Sequence, residues 1–226
     1  MHSTGNDIVS LDAIDINRTL QPRFYSKILC AAEITLYRKT GLSQVPFERY
    51  VWLLWSIKES AYKYLQRHRP ELVFSPTRCI VTELEMPAEY PMTDDSITVL
   101  QDTGFEHHSV FKSIITVGRE TLYSRSVVNS GLIFSVVNRD NVFEDTGWGV
   151  KRIDDVSSDN QSTEVRTFLL AKLKSDFSSN DLQIAKNSHG CPVLVNSGVN
   201  IPISLAHHGH WVSYSYQAST LLEMSS

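Results

Sequence analysis

The stretch Phe47–Gln66, FERYVWLLWSIKESAYKYLQ, constrains what this chain can fold into more than any other part of it. Pro46 stands at its start, where a missing backbone N–H does no harm, and Pro70 lies beyond its end, so the segment is bounded as a helix. Val51, Trp52, Leu53, Leu54, Trp55, Ile57, Ala61, Tyr62, Tyr64 and Leu65 make that helix apolar almost all round. A helix with so little solvent face is expected to be buried. Lys58, Glu59 and Lys63 nevertheless sit in its middle, and buried charge is costly unless it is paired or bound to a ligand. Glu59 and Lys63, at i and i+4, share a face; the plain reading is an intrahelical ion pair worth a few tenths of a kcal/mol. The other reading makes Glu59 a magnesium ligand and Lys63 a phosphate contact, since Mg²⁺ takes one or two carboxylates, several waters and substrate phosphate oxygens.

Around this helix the chain alternates between two periodicities. Residues 5–9, GNDIV, read as a short strand entered through a Gly-Asn turn, and residues 20–40 as helical, with Phe24, Ile28 and Leu29 on one side and a stop at Gly41. From 72 to 138, RCIVTEL, SITVL, SVFKSIITV, TLYSRSVV and LIFSVV predict successive antiparallel strands with turns at Gly104, Gly118 and Gly131. Residues 138–161, polar and rich in Gly and Asp, read as a linker. An amphipathic helix is expected over 163–177, with Val165, Phe168, Leu169 and Leu173 on its apolar side. LQIAK, PVLV and a hairpin, IPISLA returning as HWVSYSY through His208-Gly209, close the chain. Ser130-Gly131-Leu132-Ile133-Phe134-Ser135 and His208-Gly209-His210-Trp211-Val212-Ser213 echo each other weakly. The fold class is α+β.

Composition narrows the function classes. A formal net charge of -4 announces neither a nucleic-acid nor an anionic-membrane partner, so an acidic partner must meet a local basic patch. No apolar run reaches the length of a membrane span, and the first twenty residues carry Asp7, Asp12 and Asp15 rather than a signal-peptide core. Cys30, Cys79 and Cys191 are widely spaced and odd in number, which suits a reduced compartment. A cytoplasmic protein is expected.

Asp7 is the candidate second carboxylate, because an acidic residue opening an apolar strand is otherwise unfavourable. His207-His208-Gly209-His210 invites a zinc reading, but no Cys or fourth ligand is near and alternate hairpin residues face opposite sides. A structural histidine beside a turn, or a ring N–H offered by His207 to a phosphate oxygen, are the other readings.

These residues carry a resemblance. Gly5-Asn6-Asp7-Ile8-Val9 resembles the G-x-D-I-V/E motif of the 4′-phosphopantetheinyl transferase superfamily, and Trp55-Ser56-Ile57-Lys58-Glu59-Ser60-Ala61-Tyr62-Lys63 its W-S/T-x-K-E-A/S-x-x-K motif. Ser204-Leu205-Ala206-His207-His208-Gly209-His210-Trp211-Val212 is similar to S/N-I-S-H-S-G-x-W-V, and Gly190-Cys191-Pro192 falls where that family has G-K-P. The His motif comes last, as in the short holo-acyl-carrier-protein synthases, whereas residues 164–216 resemble the first half of the surfactin type. The resemblance thus implies a pseudo-dimer of two antiparallel-sheet-plus-helix halves in permuted order, 1–140 with the Asp and Lys-Glu motifs and 141–226 with the Gly-x-Pro and His-hairpin motifs. A monomer follows from that arrangement, whereas an elongated short-type synthase would be a trimer with shared sites.

The resemblance also implies an activity: magnesium-dependent transfer of 4′-phosphopantetheine from coenzyme A to a serine of an apo acyl or peptidyl carrier protein. Asp7 and Glu59 would hold Mg²⁺. Lys63, His207, Arg166 and Ser204 would contact coenzyme A, and Glu59 is the candidate base for the serine hydroxyl. Val9 stands where surfactin-type enzymes place another metal-binding Glu, Ala206 where they have Ser, and Cys191 where they have Lys. The last two remove possible coenzyme A contacts; Arg166 either compensates for them or is an ordinary exposed helix arginine. Arg23, Phe24 and Lys27 are the expected basic docking patch for the acidic carrier helix. Two rivals stand beside this: a non-catalytic coenzyme A or carrier-protein binding module, and a structural domain in which Glu59 and Lys63 are an ion pair and nothing more.

Overall fold

The computed structural model of the chain describes residues 3–38, 41–90, 98–177, 182–196 and 198–222. Strand β1 (Gly5–Ser10) leads through short helices α1 (Ile16–Thr19), α2 (Pro22–Tyr25) and α3 (Ala31–Tyr37) into α4 (Phe47–Gln66). Strands β2 (Cys79–Glu85), β3 (Val99–Thr103), β4 (Phe111–Val117), β5 (Glu120–Val128), β6 (Leu132–Asn138) and β7 (Thr146–Arg152) precede α5 (Ser158–Phe177). Strands β8 (Gln183–Lys186), β9 (Pro192–Asn196), β10 (Val199–His208) and β11 (Trp211–Gln217) and a final turn of helix, α6 (Ala218–Leu222), complete the chain. The class is α+β, with two antiparallel sheets.

The sheets run β1-β6-β5-β4-β2 and β3-β7-β11-β10-β9-β8. Without β3 the two orders are one pattern. In each, a first strand pairs with the last, a 20-residue helix follows the first strand, and the remaining strands fold back in sequence order. The weak echo in the sequence falls on equivalent places, the β5–β6 and β10–β11 hairpin returns. Strand β3 is the exception, adding to the edge of β7 although its sequence neighbours build the other sheet. Ser96 and Ile97 of the strand expected there lie outside the described residues.

Three apolar layers hold the assembly. Helix α4 buries Tyr50, Val51, Leu54, Ile57 and Ala61 against Val81, Ile115, Leu122 and Ile133 of the first sheet. Helix α5 buries Val165, Leu169 and Leu173 against Leu194, Ile203, Val212 and Tyr214 of the second. Between the sheets lie Ile8, Phe134, Val136, Trp148, Val150 and Ala206. The expected alternation sets the faces: along β4, Phe111, Ser113, Ile115 and Val117 are buried and every intervening residue is less so.

Two expectations fail. The helical stretch 20–40 is broken: Pro22–Tyr25 and Ala31–Tyr37 are separate helices, and Ile28 and Leu29 plug the core from the bend between them, while Lys39 and Thr40 lie outside the described residues. The linker at 138–161 contains β7, an inner strand of the second sheet, and the first turn of α5. Its glycines hid it. Gly147 and Gly149 lie opposite Tyr216 and Tyr214, and a Cβ at either would come within 2.3 or 2.7 Å of the tyrosine ring. The glycines leave room for aromatic rings across the ladder, a sheet-forming use that strand propensity alone penalises.

Candidate active site

The site grows from the contact between β1 and α4. Gly5 is extended strand, not the expected turn, and a Cβ there would lie 2.1 Å from the Ser60 carbonyl and 2.7 Å from the Tyr64 amide nitrogen. Only glycine allows the strand to lie so near the helix. The approach brings Asp7 Oδ1 to 3.0 Å from Lys63 Nζ, which also stands 3.3 Å from Glu59 Oε1. The intrahelical pair read from the sequence is present, and the second carboxylate arrives from the strand. One ammonium bridges two carboxylates.

Asp7 is 5% exposed, and its Oδ2 has no hydrogen-bond partner among the described residues. Burial pushes its carboxyl up to about 6; Lys63 opposes the rise and Glu59 adds to it. Burial works against the Lys63 charge, but the Asp7 and Glu59 carboxylates outweigh it and hold the ammonium above its ordinary range. The folded chain therefore binds the Asp7 proton more tightly than the unfolded chain. That contribution to stability is full below the unfolded value of 3.8 and is lost as pH rises through about 6. In chelator, the stability difference between Asp7→Asn and the parent protein should widen in the variant's favour by ~2–3 kcal/mol from pH 4 to 7. A flat difference in urea titrations across that range would remove the assignment.

The second half supplies the far wall. His207, at the end of β10 and open to solvent on one side, is held below the ordinary histidine range first by the partial desolvation of its ring and then by Lys63, His208 and Arg166. The charges of Lys63 and Arg166 therefore reach His207 from α4 and α5. Arg166 donates from Nη1 to the Ser162 carbonyl (2.7 Å) and to its hydroxyl. Ser204 is placed otherwise than expected: it is 2% exposed, and its Oγ accepts the Asn6 N–H at 2.9 Å. With the Thr4–Ser215 hydroxyl pair and the Asn6 amide donating to Ser213 Oγ (2.8 Å), it forms a polar seam along the free edge of β1. It joins β10 to β1.

The three histidines of the hairpin tip diverge. The ring nitrogen Nδ1 of His208 accepts the Ser10 N–H at 2.9 Å, His210 donates from Nδ1 to the Ile153 carbonyl at 3.0 Å, and His207 is exposed. Among the described residues no three His, Cys, Asp or Glu side chains gather to hold a metal ion by themselves. Asp7 and Glu59, with the unpartnered Asp7 Oδ2, form the two-carboxylate oxygen set that Mg²⁺ uses alongside water and phosphate.

Two charged residues escaped the reading of the sequence. Glu33 meets Lys58 in a fully buried ion pair, and Arg67, one turn past Lys63, donates to the carbonyls of Pro192 (3.1 Å) and Ile203. Arg67 ties α4 to β9 and β10 beside Cys191, and burial lowers its guanidinium to about 10. The only sequence signal for either was the apolar helix that carries Lys58.

Residues 3–103 match the model of the 4′-phosphopantetheinyl transferase superfamily, a span that takes in Asp7, Glu59 and Lys63 and ends before the His207 hairpin. Neither the comparison with curated proteins nor that with solved structures gives a match. No helix among the described residues is long and apolar enough to cross a membrane.

Proposed function

We propose, from the match of residues 3–103 to the model of the 4′-phosphopantetheinyl transferase superfamily, that the chain moves 4′-phosphopantetheine from coenzyme A to a serine of an apo acyl or peptidyl carrier protein, with magnesium, releasing 3′,5′-ADP. The observation that carries this reading is the pair of carboxylates, Asp7 and Glu59, drawn to one lysine at the seam where His207 arrives from the other half. Asp7 and Glu59 would hold Mg²⁺, which when bound supplies positive charge to the transferring phosphoryl group and the leaving nucleotide. Lys63 and His207 bind phosphate oxygens, with Arg166 beside them. Glu59 takes the proton of the serine hydroxyl as the serine oxygen bonds to phosphorus and the pyrophosphate bond breaks.

The repeated strand order supports a pseudo-dimer of halves 1–140 and 141–226 in permuted order; on this reading the protein acts as a monomer in the cytoplasm. For the carrier, Arg23 and Lys27 are exposed on and just after α2, and Phe24 rests against Trp52 with ring centres 6.0 Å apart. Arg18 lies over the Phe24 ring, and Ile16 and Leu20 stand exposed nearby, an apolar strip edged with positive charge that suits an acidic helix. Reversing the charge at Arg23 and Lys27 together should raise the KM for carrier about tenfold or more and leave that for coenzyme A unchanged; an unchanged carrier KM would exclude this face.

Cys191 and Ala206, both buried, favour a second reading in which the chain binds coenzyme A or a carrier without turnover. Intact mass of an apo carrier after incubation with the protein, coenzyme A and Mg²⁺ separates the two. A gain of one phosphopantetheine, lost on chelation and with Glu59→Gln, supports the transferase; coenzyme A binding without any gain across several carriers supports the binding module.

A further inference from the structure

Pro192 leaves a gap in the second sheet. Strands β9 and β10 pair from Val199↔Asn196 to Pro202↔Val193. The next pair in that register would be Ile203 with Pro192, and Pro192 has no N–H to give across the ladder. Arg67, the first residue past α4, stands in for the missing donor: Nη1 donates to the Pro192 carbonyl at 3.1 Å and Nη2 to the Ile203 carbonyl. A planar guanidinium fork can hold two carbonyls at once, which the single ammonium of a lysine does less well. No carboxylate among the described residues pairs with Arg67, and burial is the main influence on its charge. The two bonds to backbone are what hold it.

This tie closes a ring of bonds around the two carboxylates. Ser204, next to Ile203 on β10, accepts the Asn6 N–H of β1 at 2.9 Å. Asp7, next to Asn6, meets Lys63 of α4 at 3.0 Å. Lys63 lies one turn before Arg67. From α4 the path runs through Arg67, Ile203 and Ser204, Asn6 and Asp7, and returns to α4 at Lys63, with nothing along it but direct bonds and adjacent residues. Strand β10 is thus fixed to α4 by Arg67 and to β1 by Ser204. Opening either link lets β10 shift against α4, and β1 with it, at the place where Asp7 meets Lys63.

We infer that Arg67 is a positioning residue for the proposed reaction: its fork bridges the rung that Pro192 leaves unpaired and, through Ile203, Ser204 and Asn6, keeps Asp7 in place against Lys63. It acts through these residues and not on substrate, since both of its terminal nitrogens are turned to backbone carbonyls. The inference rests on the transferase reading above.

Steady-state kinetics of carrier modification per folded molecule, run beside urea unfolding, test the role in Arg67→Met, Arg67→Lys, Ser204→Ala and the variant that combines Arg67→Met with Ser204→Ala. Arg67→Met keeps much of the stem and loses every donor. Arg67→Lys keeps a donor for one carbonyl, and Ser204→Ala opens the ring at its other link. The expected result is a kcat lowered about tenfold in Arg67→Met with the KM for carrier unchanged, and partial recovery in Arg67→Lys. The combined variant should be less impaired, in kcat and in unfolding, than the two single changes together predict, because a ring already open loses little when opened again. Parental kcat in folded Arg67→Met would reduce Arg67 to a tie that stabilises and nothing more, overturning the positioning role while the transferase reading stands. Independent effects in the combined variant would overturn the route through Ser204. A parent protein that modifies no carrier would instead overturn the reading beneath.

Discussion

Glu33→Gln should lower the stability of this protein by ~3–5 kcal/mol while leaving the turnover of each folded molecule unchanged. Glu33 and Lys58 are both fully buried, with Lys58 Nζ 2.7 Å from Glu33 Oε2 and 2.6 Å from the Ile28 carbonyl. Together with the Lys58 pair, the other bonds of the carboxylate tie α3, α4 and β2: Oε2 accepts the Cys30 N–H at the start of α3, and Oε1 accepts the Val81 N–H of β2. A neutral amide leaves the Lys58 ammonium buried without an anion and puts an N–H against a donor. Lys58→Met together with Glu33→Leu should recover only part of the loss, because Cys30 N and Val81 N then lack their acceptor. Urea unfolding measures both variants. A loss under about 1 kcal/mol for Glu33→Gln would mean that the pair is not the joint between α3, α4 and β2. The site should not feel the change, since Lys58 points away from the face that carries Glu59 and Lys63.

Gly5→Ala should be the most damaging single methyl in the chain. The added Cβ would meet backbone, the Ser60 carbonyl oxygen and the Tyr64 nitrogen, and backbone within a helix cannot turn aside as a flexible side chain can. Strand and helix must separate, at a cost of about 3 kcal/mol. The separation acts directly on the 3.0 Å contact between Asp7 and Lys63. A displacement of about 1 Å at a reacting centre is enough for about a hundredfold loss of rate, so carrier modification should fall by that much even in the fraction that folds. Folded Gly5→Ala protein with parental activity would show that the close approach of β1 to α4 is not what sets the carboxylate spacing. Ala in place of Gly190 meets no neighbour within 4 Å and serves as the control for glycine loss at a surface turn, where the strain is that of its positive φ alone.

Much of the site was legible before any fold was known. Glu59 and Lys63 stood out because a helix without a solvent face held charges, and Asp7 because an acidic residue opened an apolar strand. The residues that joined them from a distance were silent. Glu33 is 25 residues from Lys58, Ser10 is 198 from His208, and Arg67 reaches Ile203 across 136, separations over which no periodicity speaks. Ser204 shows the opposite failure. Its place in a motif suggested a ligand contact, and the structure uses its hydroxyl to receive the Asn6 amide at the free edge of β1.

What this sequence determined by itself was local: the helix over 47–66 and all but the first turn of α5, the alternation that gives β4 its inner face, and the face of α4 that Glu59 and Lys63 share. Those follow from side-chain periods of 3.6 and 2 residues, which a linear reading can count. Only the tertiary structure decided that β3 leaves its neighbours to pair with β7, that Gly147 and Gly149 build a strand because tyrosines cover them, and that Gly5 brings Asp7 to Lys63. Each of these depends on volume shared between segments far apart in the chain. Close packing lets one missing Cβ decide how near two elements lie, and a single strand does not carry that information.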